Sequence, residues 1–195
     1  MKSKLLVSCL FVFLLSSPLA ALATTFKVDP VHSNIGFKVS HLVVSKVRGS
    51  FNSYTGQVEF NSKTKKLESV SAVIKASSID TKNQKRDGHL RSPDFFGAKR
   101  DPNITFKSTK VIQNGDDITI VGNLKMKGVT KKITLKGNFN GMITAQKGKL
   151  HLGFEGKGKI SRKDFGMTWN KILEAGGLAV GDEVTIVLEI EAIEQ

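Results

Sequence analysis

Four histidines, His32, His41, His89 and His151, are the side chains of this sequence best suited to proton transfer or metal binding near neutral pH. No two stand at the helical or hairpin spacing that gathers zinc ligands, so no local metal site is expected. A site assembled from distant parts of the chain stays open. A hydrolase would need a nucleophile held against an oriented base, yet no serine sits in a Gly-x-Ser-x-Gly turn and the single cysteine, Cys9, lies in the apolar leader. Asp29, Asp80, Asp87 and Asp94 fall at strand ends or in loops, where carboxylates cap turns. Gly153, Gly156 and Gly158 imitate a phosphate-binding loop, but they interrupt an alternating strand and read as bend or bulge positions. No catalytic residue is expected, with one pair, His89 and Asp87, left as the acid–base alternative.

The elements that must position these residues are strands. From Ser33 onward apolar side chains recur at every second position, the period of a half-buried strand. Eight such runs are centred on Ile35 to Val39, Tyr54 to Phe60, Val70 to Ala76, Ile104 and Phe106, Ile118 to Met126, Ile133 to Phe139, Leu150 to Phe154, and Val184 to Ile190. Short turn signals such as Asn114-Gly115-Asp116, Lys127-Gly128 and Gln146-Lys147-Gly148 suit antiparallel hairpins. The expected fold is all-β: an eight-stranded antiparallel barrel with short helices in its loops. Closure removes the exposed edges that an open sandwich would have to guard. Three stretches break the alternation: 41–48, with helical spacing at Leu42, Val43 and Val47; 80–101, around Leu90, Phe95 and Phe96; and 161–181, around Phe165, Met167 and Trp169. Long irregular loops are commonly functional, so these are expected to form the mouth and lid of a cavity. The apolar face itself fits an ordinary core and a hollow barrel equally well.

Lys2 and Lys4, the apolar run Leu5–Leu15 and Ala21-Leu22-Ala23 make a three-part secretory leader, with cleavage expected after Ala23. Residues 1–23 are thus the expected signal peptide and 24–195 a single exported domain, without cysteine and so without a disulfide. Loss of the leader leaves 28 basic against 17 acidic side chains, a net charge of +11 that favours anionic membrane surfaces. The lysines are spread along the chain and Tyr54 and Trp169 stand alone, so the arginine-aromatic stripe of a nucleic-acid binder is missing.

The loops carry a resemblance. Val28-Asp29-Pro30-Val31-His32-Ser33, Phe37-Lys38-Val39-Ser40-His41-Leu42, Val47-Arg48-Gly49-Ser50-Phe51 and Ser78-Ile79-Asp80-Thr81 come first. Then follow Arg86-Asp87-Gly88-His89-Leu90-Arg91-Ser92, Asp94-Phe95-Phe96, Pro102-Asn103-Ile104-Thr105-Phe106, Gly128-Val129-Thr130-Lys131, Arg162-Lys163-Asp164-Phe165-Gly166 and Gly181-Asp182-Glu183-Val184. In order and spacing, from Phe26 to Ile193, these resemble the YceI-like family of bacterial periplasmic polyisoprenoid-binding proteins. Phe26 stands where that family commonly has a larger aromatic, and Asn123 where it commonly has aspartate.

The resemblance implies a lipocalin-like barrel, a periplasmic location and a polyisoprenoid, quinone or other long-chain lipid in the interior, with no other cofactor. Its lining would be Ile35, Phe37, Phe106, Ile120, Leu124, Leu135, Phe139 and Phe154, with Leu42, Phe51, Phe96 and Trp169 closing the ends. His41, Arg86, Asp87 and His89 would form a polar mouth, unless they only brace loops. Moving about 40 carbons out of water at roughly 0.8 kcal/mol per methylene would gain about 32 kcal/mol, beyond the ceiling of about 18–21 kcal/mol for non-covalent affinity. Such a lipid is exchanged with a bilayer, never with water, and a basic exterior would help loading from an anionic membrane. An enzyme acting on the lipid head group and a stress-response factor are the alternatives. A homodimer is compatible with the sequence, which fixes no oligomeric state.

Overall fold

The computed structural model describes residues 23–42, 44–172 and 178–195. Apart from Ala23, the expected leader lies outside the described residues. The strands are β1 (Thr24–Val28), β2 (Asn34–His41), β3 (Ser45–Phe51), β4 (Tyr54–Asn61), β5 (Lys66–Lys75), β6 (Ile79–Asp80), β7 (Asn103–Asn114), β8 (Asp117–Met126), β9 (Val129–Thr144), β10 (Leu150–Ser161) and β11 (Val180–Glu194), with the helix α1 (Gln84–Arg91). All pairings are antiparallel, and β11 pairs back onto β1, closing a ring of eight strands in the order β1-β4-β5-β7-β8-β9-β10-β11.

The remaining three strands are continuations. β2 follows β1 along β11, β3 pairs β2 before running into β4, and β6 prolongs β5 against β3. The barrel is therefore the expected eight-stranded meander, with its first three strands each broken once. The breaks are stitched to one another across the sheet: Tyr54 Oη donates to Ser33 O at 2.6 Å, Lys75 N to Ser53 O at 2.9 Å and Asn52 N to Ser78 O at 3.1 Å. Such local interruptions let long strands bend around a closed barrel.

Each expected alternating run is a strand, except that Ala76 falls in the short 3-10 turn after β5. The stretch 41–48, whose spacing would suit a short helix, holds instead the last residue of β2 and, from Ser45, β3. Val47 and Phe51 alternate there with the exposed Lys46 and Arg48, and β2 offers a ladder partner, Val39 opposite Val47, that an isolated helical turn would lack. β1 and β6 were not anticipated, being too short to show a period. The β8–β9 hairpin turns on Lys127 and Gly128 with φ of 51° and 76°, the double left-handed conformation that two-residue hairpins need.

Because the strands alternate in direction, the two ends of the barrel differ. Leu42 and Val44, the 81–102 segment with α1, the 127–128 turn, residues 162–172 and residues 178–179 gather at one end, the loop end. Three hairpin turns, the start of β1 and the end of β11 occupy the other, the hairpin end. All three stretches read as mouth and lid thus share one end. The hairpin end is filled by Phe26, Val58, Phe60, Leu67, Ile118, Phe139, Leu152 and Ala192, and a second cluster around Phe51, Ile79, Phe106, Phe165 and Met167 serves the rest.

Candidate functional site

Between the two clusters the barrel is hollow. The cavity measures about 260 Å³ and its wall is almost wholly carbon, slightly below the roughly 300–1,000 Å³ of common ligand pockets. It is long rather than wide: Ile118 and Met126 both line it, a separation of about 27 Å along β8 at the rise of an extended strand. The hollow arises where inward positions carry little or no side chain. Gly56, Ala72, Gly137 and Gly156 all face it. At Gly137 a Cβ would meet Glu155 O at 1.8 Å, so close strand approach requires glycine there, whereas at Gly156 a Cβ finds nothing nearer than 3.7 Å. The three glycines read as bend positions therefore differ in role. Gly153 flanks the register shift between β9 and β10, Gly156 makes room in the cavity, and Gly158 is covered by Leu135.

Ile35, Phe37, Phe51, Phe96, Phe106, Ile120, Leu124, Leu135 and Phe154 line the cavity. Phe37, Phe51 and Phe96 form a row of rings, with centroids 6.1 and 5.6 Å apart. Three expected positions lie off the wall. Phe139 packs with Phe60 and Phe154 in the plug of the hairpin end, ring centroids 5.1 and 5.3 Å away. Leu42 occupies an exposed turn at φ 52°, which throws its side chain outward. Trp169 leans on His89 and Phe95 outside the barrel, at 4.8 and 5.5 Å. Sequence reasoning missed Ile74, Met126 and Met167 on the wall, and the glycines, whose missing side chains leave no hydrophobic signal.

The residues expected at a polar mouth do other work. Asp87 is buried, and its Oδ1 accepts from Thr81 N at 2.9 Å and Thr81 Oγ1 at 2.5 Å. Arg86 donates from Nε to Thr81 Oγ1 and from Nη2 to Thr81 O, both at 2.7 Å. Arg91 joins them, donating to Ser77 O and Ile79 O. These bonds clamp α1, whose N-cap Asn83 accepts from Arg86 N, onto the end of β6 and so hang Leu90, Phe95 and Phe96 beside the cavity. His89 Nε2 pairs with Asp94 Oδ2 at 2.8 Å, not with Asp87. The acid–base pair weighed from the sequence is not assembled. His41 contributes a backbone carbonyl, which accepts from Ser45 Oγ across the turn.

A second clamp holds residues 162–169 against the start of β11. Arg162, only 3% exposed, donates to Met167 O at 2.6 Å, Trp169 O and Gly181 O at 2.9 Å, and Asp182 Oδ1 at 3.1 Å. Burial pushes its pKa below the usual arginine value, opposed by Asp182. Lys127 Nζ joins the two loops, donating to Pro93 O at 2.8 Å and Gly166 O at 3.0 Å, and burial lowers its pKa too.

Away from the cavity, the strand break at Asp29–Ser33 carries a polar knot. His32 Nδ1 lies 2.6 Å from Asp29 Oδ2, and His151 Nδ1 2.7 Å from Glu191 Oε1. Hydrogen bonds from Val31 N and His32 hold the Asp29 carboxyl below its ordinary range, and Asp29 in turn raises His32. Ligand atoms of Asp29, His32 and Glu191 lie within 4.8 Å of one another, a grouping hidden from the sequence by the separation of residues 32 and 191.

A model of the YceI-like domain matches residues 26–192. A UPF0312 protein of Pseudomonas aeruginosa is 37% identical over 177 residues, covering 90% of each chain. One from Yersinia pseudotuberculosis is 36% identical over 177 residues, covering 90% of this chain and 89% of that one. Among solved structures, the YceI protein of Campylobacter jejuni is 32% identical with a TM-score of 0.70, over 80% of this chain and 90% of its own. A polyisoprenoid-binding domain from Saccharophagus degradans shares the fold, with a TM-score of 0.63 at 15% identity over 88% of this chain and 99% of its own.

Proposed function

The chain belongs to the YceI-like family, and from that premise we propose that it is an exported, periplasmic carrier that holds one polyisoprenoid or similar long-chain amphiphile in its barrel, without acting on it. The observation that carries this reading is the cavity: an apolar channel made by inward glycines, plugged by rings at the hairpin end and bordered by loop residues at the other. A wall with so few polar groups suits a hydrocarbon chain, and a slim bore suits one held in single file. Leu90, Phe95, Phe96 and Met167 stand where the chain enters. The +11 charge left after the leader is removed suits a protein that exchanges its ligand with anionic membranes.

Solvent extraction of the purified protein followed by mass spectrometry tests the reading. One stoichiometric long-chain lipid, unchanged over hours, is expected. Gly156→Leu should fold normally, since the first side-chain carbon has room, yet lose most of that lipid because the rest of the side chain fills the bore. A protein recovered empty that chemically converts added lipid would overturn the proposal.

A further inference from the structure

Nine large apolar side chains are exposed among the described residues, and five of them, Leu42, Val44, Trp169, Ile172 and Leu178, crowd the loop end. The other four, Val31, Val73, Ile112 and Ile143, are scattered over four separate segments. Val44 and Ile172 are 86% and 80% exposed, values at which an apolar side chain gains nothing from the fold itself. The crowding follows from the backbone. Leu42 and Val44 lie between β2 and β3, while Ile172 and Leu178 face each other in an antiparallel bridge just before β11. The two pairs are tied together, Leu42 N donating to Ala179 O at 2.9 Å and His41 pairing with Val180. They lie beside the border of the cavity, where Val39 and Val180 belong to its wall.

Basic side chains flank these residues. Lys46 and Arg48 follow Val44 along β3 and Lys171 precedes Ile172. All are exposed and none makes an ion pair with a described residue. Exposed cations beside exposed aliphatic side chains are the pattern of a surface that rests in the headgroup layer of an anionic bilayer, with the apolar side chains reaching the acyl boundary.

We propose that Leu42, Val44, Ile172 and Leu178 form a membrane-docking patch that seats the loop end of the barrel on an anionic lipid surface. The proposal rests on the carrier reading and gives it a direction: the ligand crosses between bilayer and cavity without meeting water.

The test measures sedimentation of the purified protein with vesicles of phosphatidylglycerol and phosphatidylcholine, and with phosphatidylcholine alone. Binding to the mixed vesicles, weakened by salt, and a blue shift of Trp169, the sole tryptophan, are expected. Val44→Ser with Ile172→Ser should weaken binding about tenfold or more, as should Lys46→Glu with Lys171→Glu. Both pairs should leave the lipid found by extraction in place, because none of the four residues lines the cavity. Wild-type protein that carries lipid but ignores both vesicles would overturn the docking patch and leave the carrier intact. An empty protein that still docks would sink the carrier reading instead. Self-association abolished by the serine pair, without vesicle binding, would reassign the patch to a contact between copies and overturn the proposal.

Discussion

The hairpin end and the loop end of the barrel are held together by different forces. At the hairpin end Phe60, fully buried, meets Phe26, Phe139 and Phe154 with ring centroids 5.1–6.2 Å away. Stability there is a matter of rings removed from water and packed edge to face or tilted against one another. At the loop end Arg86, Arg91, Lys127 and Arg162 donate to backbone carbonyls of loops and strand ends that would otherwise be loose. A packed aromatic cluster has no cheap intermediate state, whereas hydrogen bonds to loop carbonyls can be exchanged for water one by one. A barrel built this way can open without unfolding: the end stitched by cations can loosen while the plugged end keeps the strands together.

The two ends should respond differently to substitution. Phe60→Ala should cost about 3–5 kcal/mol, the range for emptying an aromatic site in a closed core. Phe96→Ala, at the loop end, should cost clearly less, because that ring borders a space already hollow. Chemical denaturation of both variants decides the matter, and equal losses would show that the cavity end is packed as tightly as the plug.

Arg162→Ala comes next. It strands the carbonyls of Met167, Trp169 and Gly181, an effect of about 1–3 kcal/mol. It should also release the loop locally: Trp169 emission should shift to the red while the far-ultraviolet signal of the sheet stays unchanged. Arg162→Lys should behave almost as badly, since a single ammonium cannot reach carbonyls spread around a planar guanidinium. A variant whose sheet melts together with the tryptophan signal would show that the two ends are one cooperative unit.

How much of this was legible follows the same division. The hairpin end and the barrel wall are written in period two, so Phe60, Ile118, Leu135 and Leu152 announce their inward face and the ring of strands can be read directly. β3 escaped because Val43 and Val47 are spaced as on a helix, and only the ladder with β2 settles the matter in favour of a strand. The cavity was half legible. Alternation puts Phe37, Phe106 and Ile120 inside a barrel, but whether the inside is full depends on Gly56, Gly137 and Gly156, and an absent side chain leaves no pattern. The clamps were illegible for another reason. Arg86, Asp87 and Arg162 look like surface charges, and their partners are backbone carbonyls, amides and a threonine whose positions only the folded loops define.

Between the two ends lies the row of strand breaks, and Tyr54, the sole tyrosine, reports on it. Its hydroxyl donates to Ser33 O at 2.6 Å, fastening β4 to the break between β1 and β2. Burial raises its pKa above the ordinary 10.0, and the Asp29 charge raises it further. A folded-state value above the unfolded one means that the unfolded chain ionises first as pH rises. The contribution of Tyr54 is therefore complete below pH 10.0 and is lost as pH climbs through its folded value. Tyrosinate absorbance of the native protein should rise with a midpoint above 10.0, and unfolding should restore the ordinary value. Tyr54→Phe should cost about 0.5–1.5 kcal/mol at neutral pH, the worth of the lost bond, and should flatten the alkaline fall in stability. An alkaline fall as steep in the phenylalanine variant as in the wild type would place the sensitive group elsewhere, and not at Lys127, whose pKa is lowered by burial and whose titration would therefore raise stability with pH.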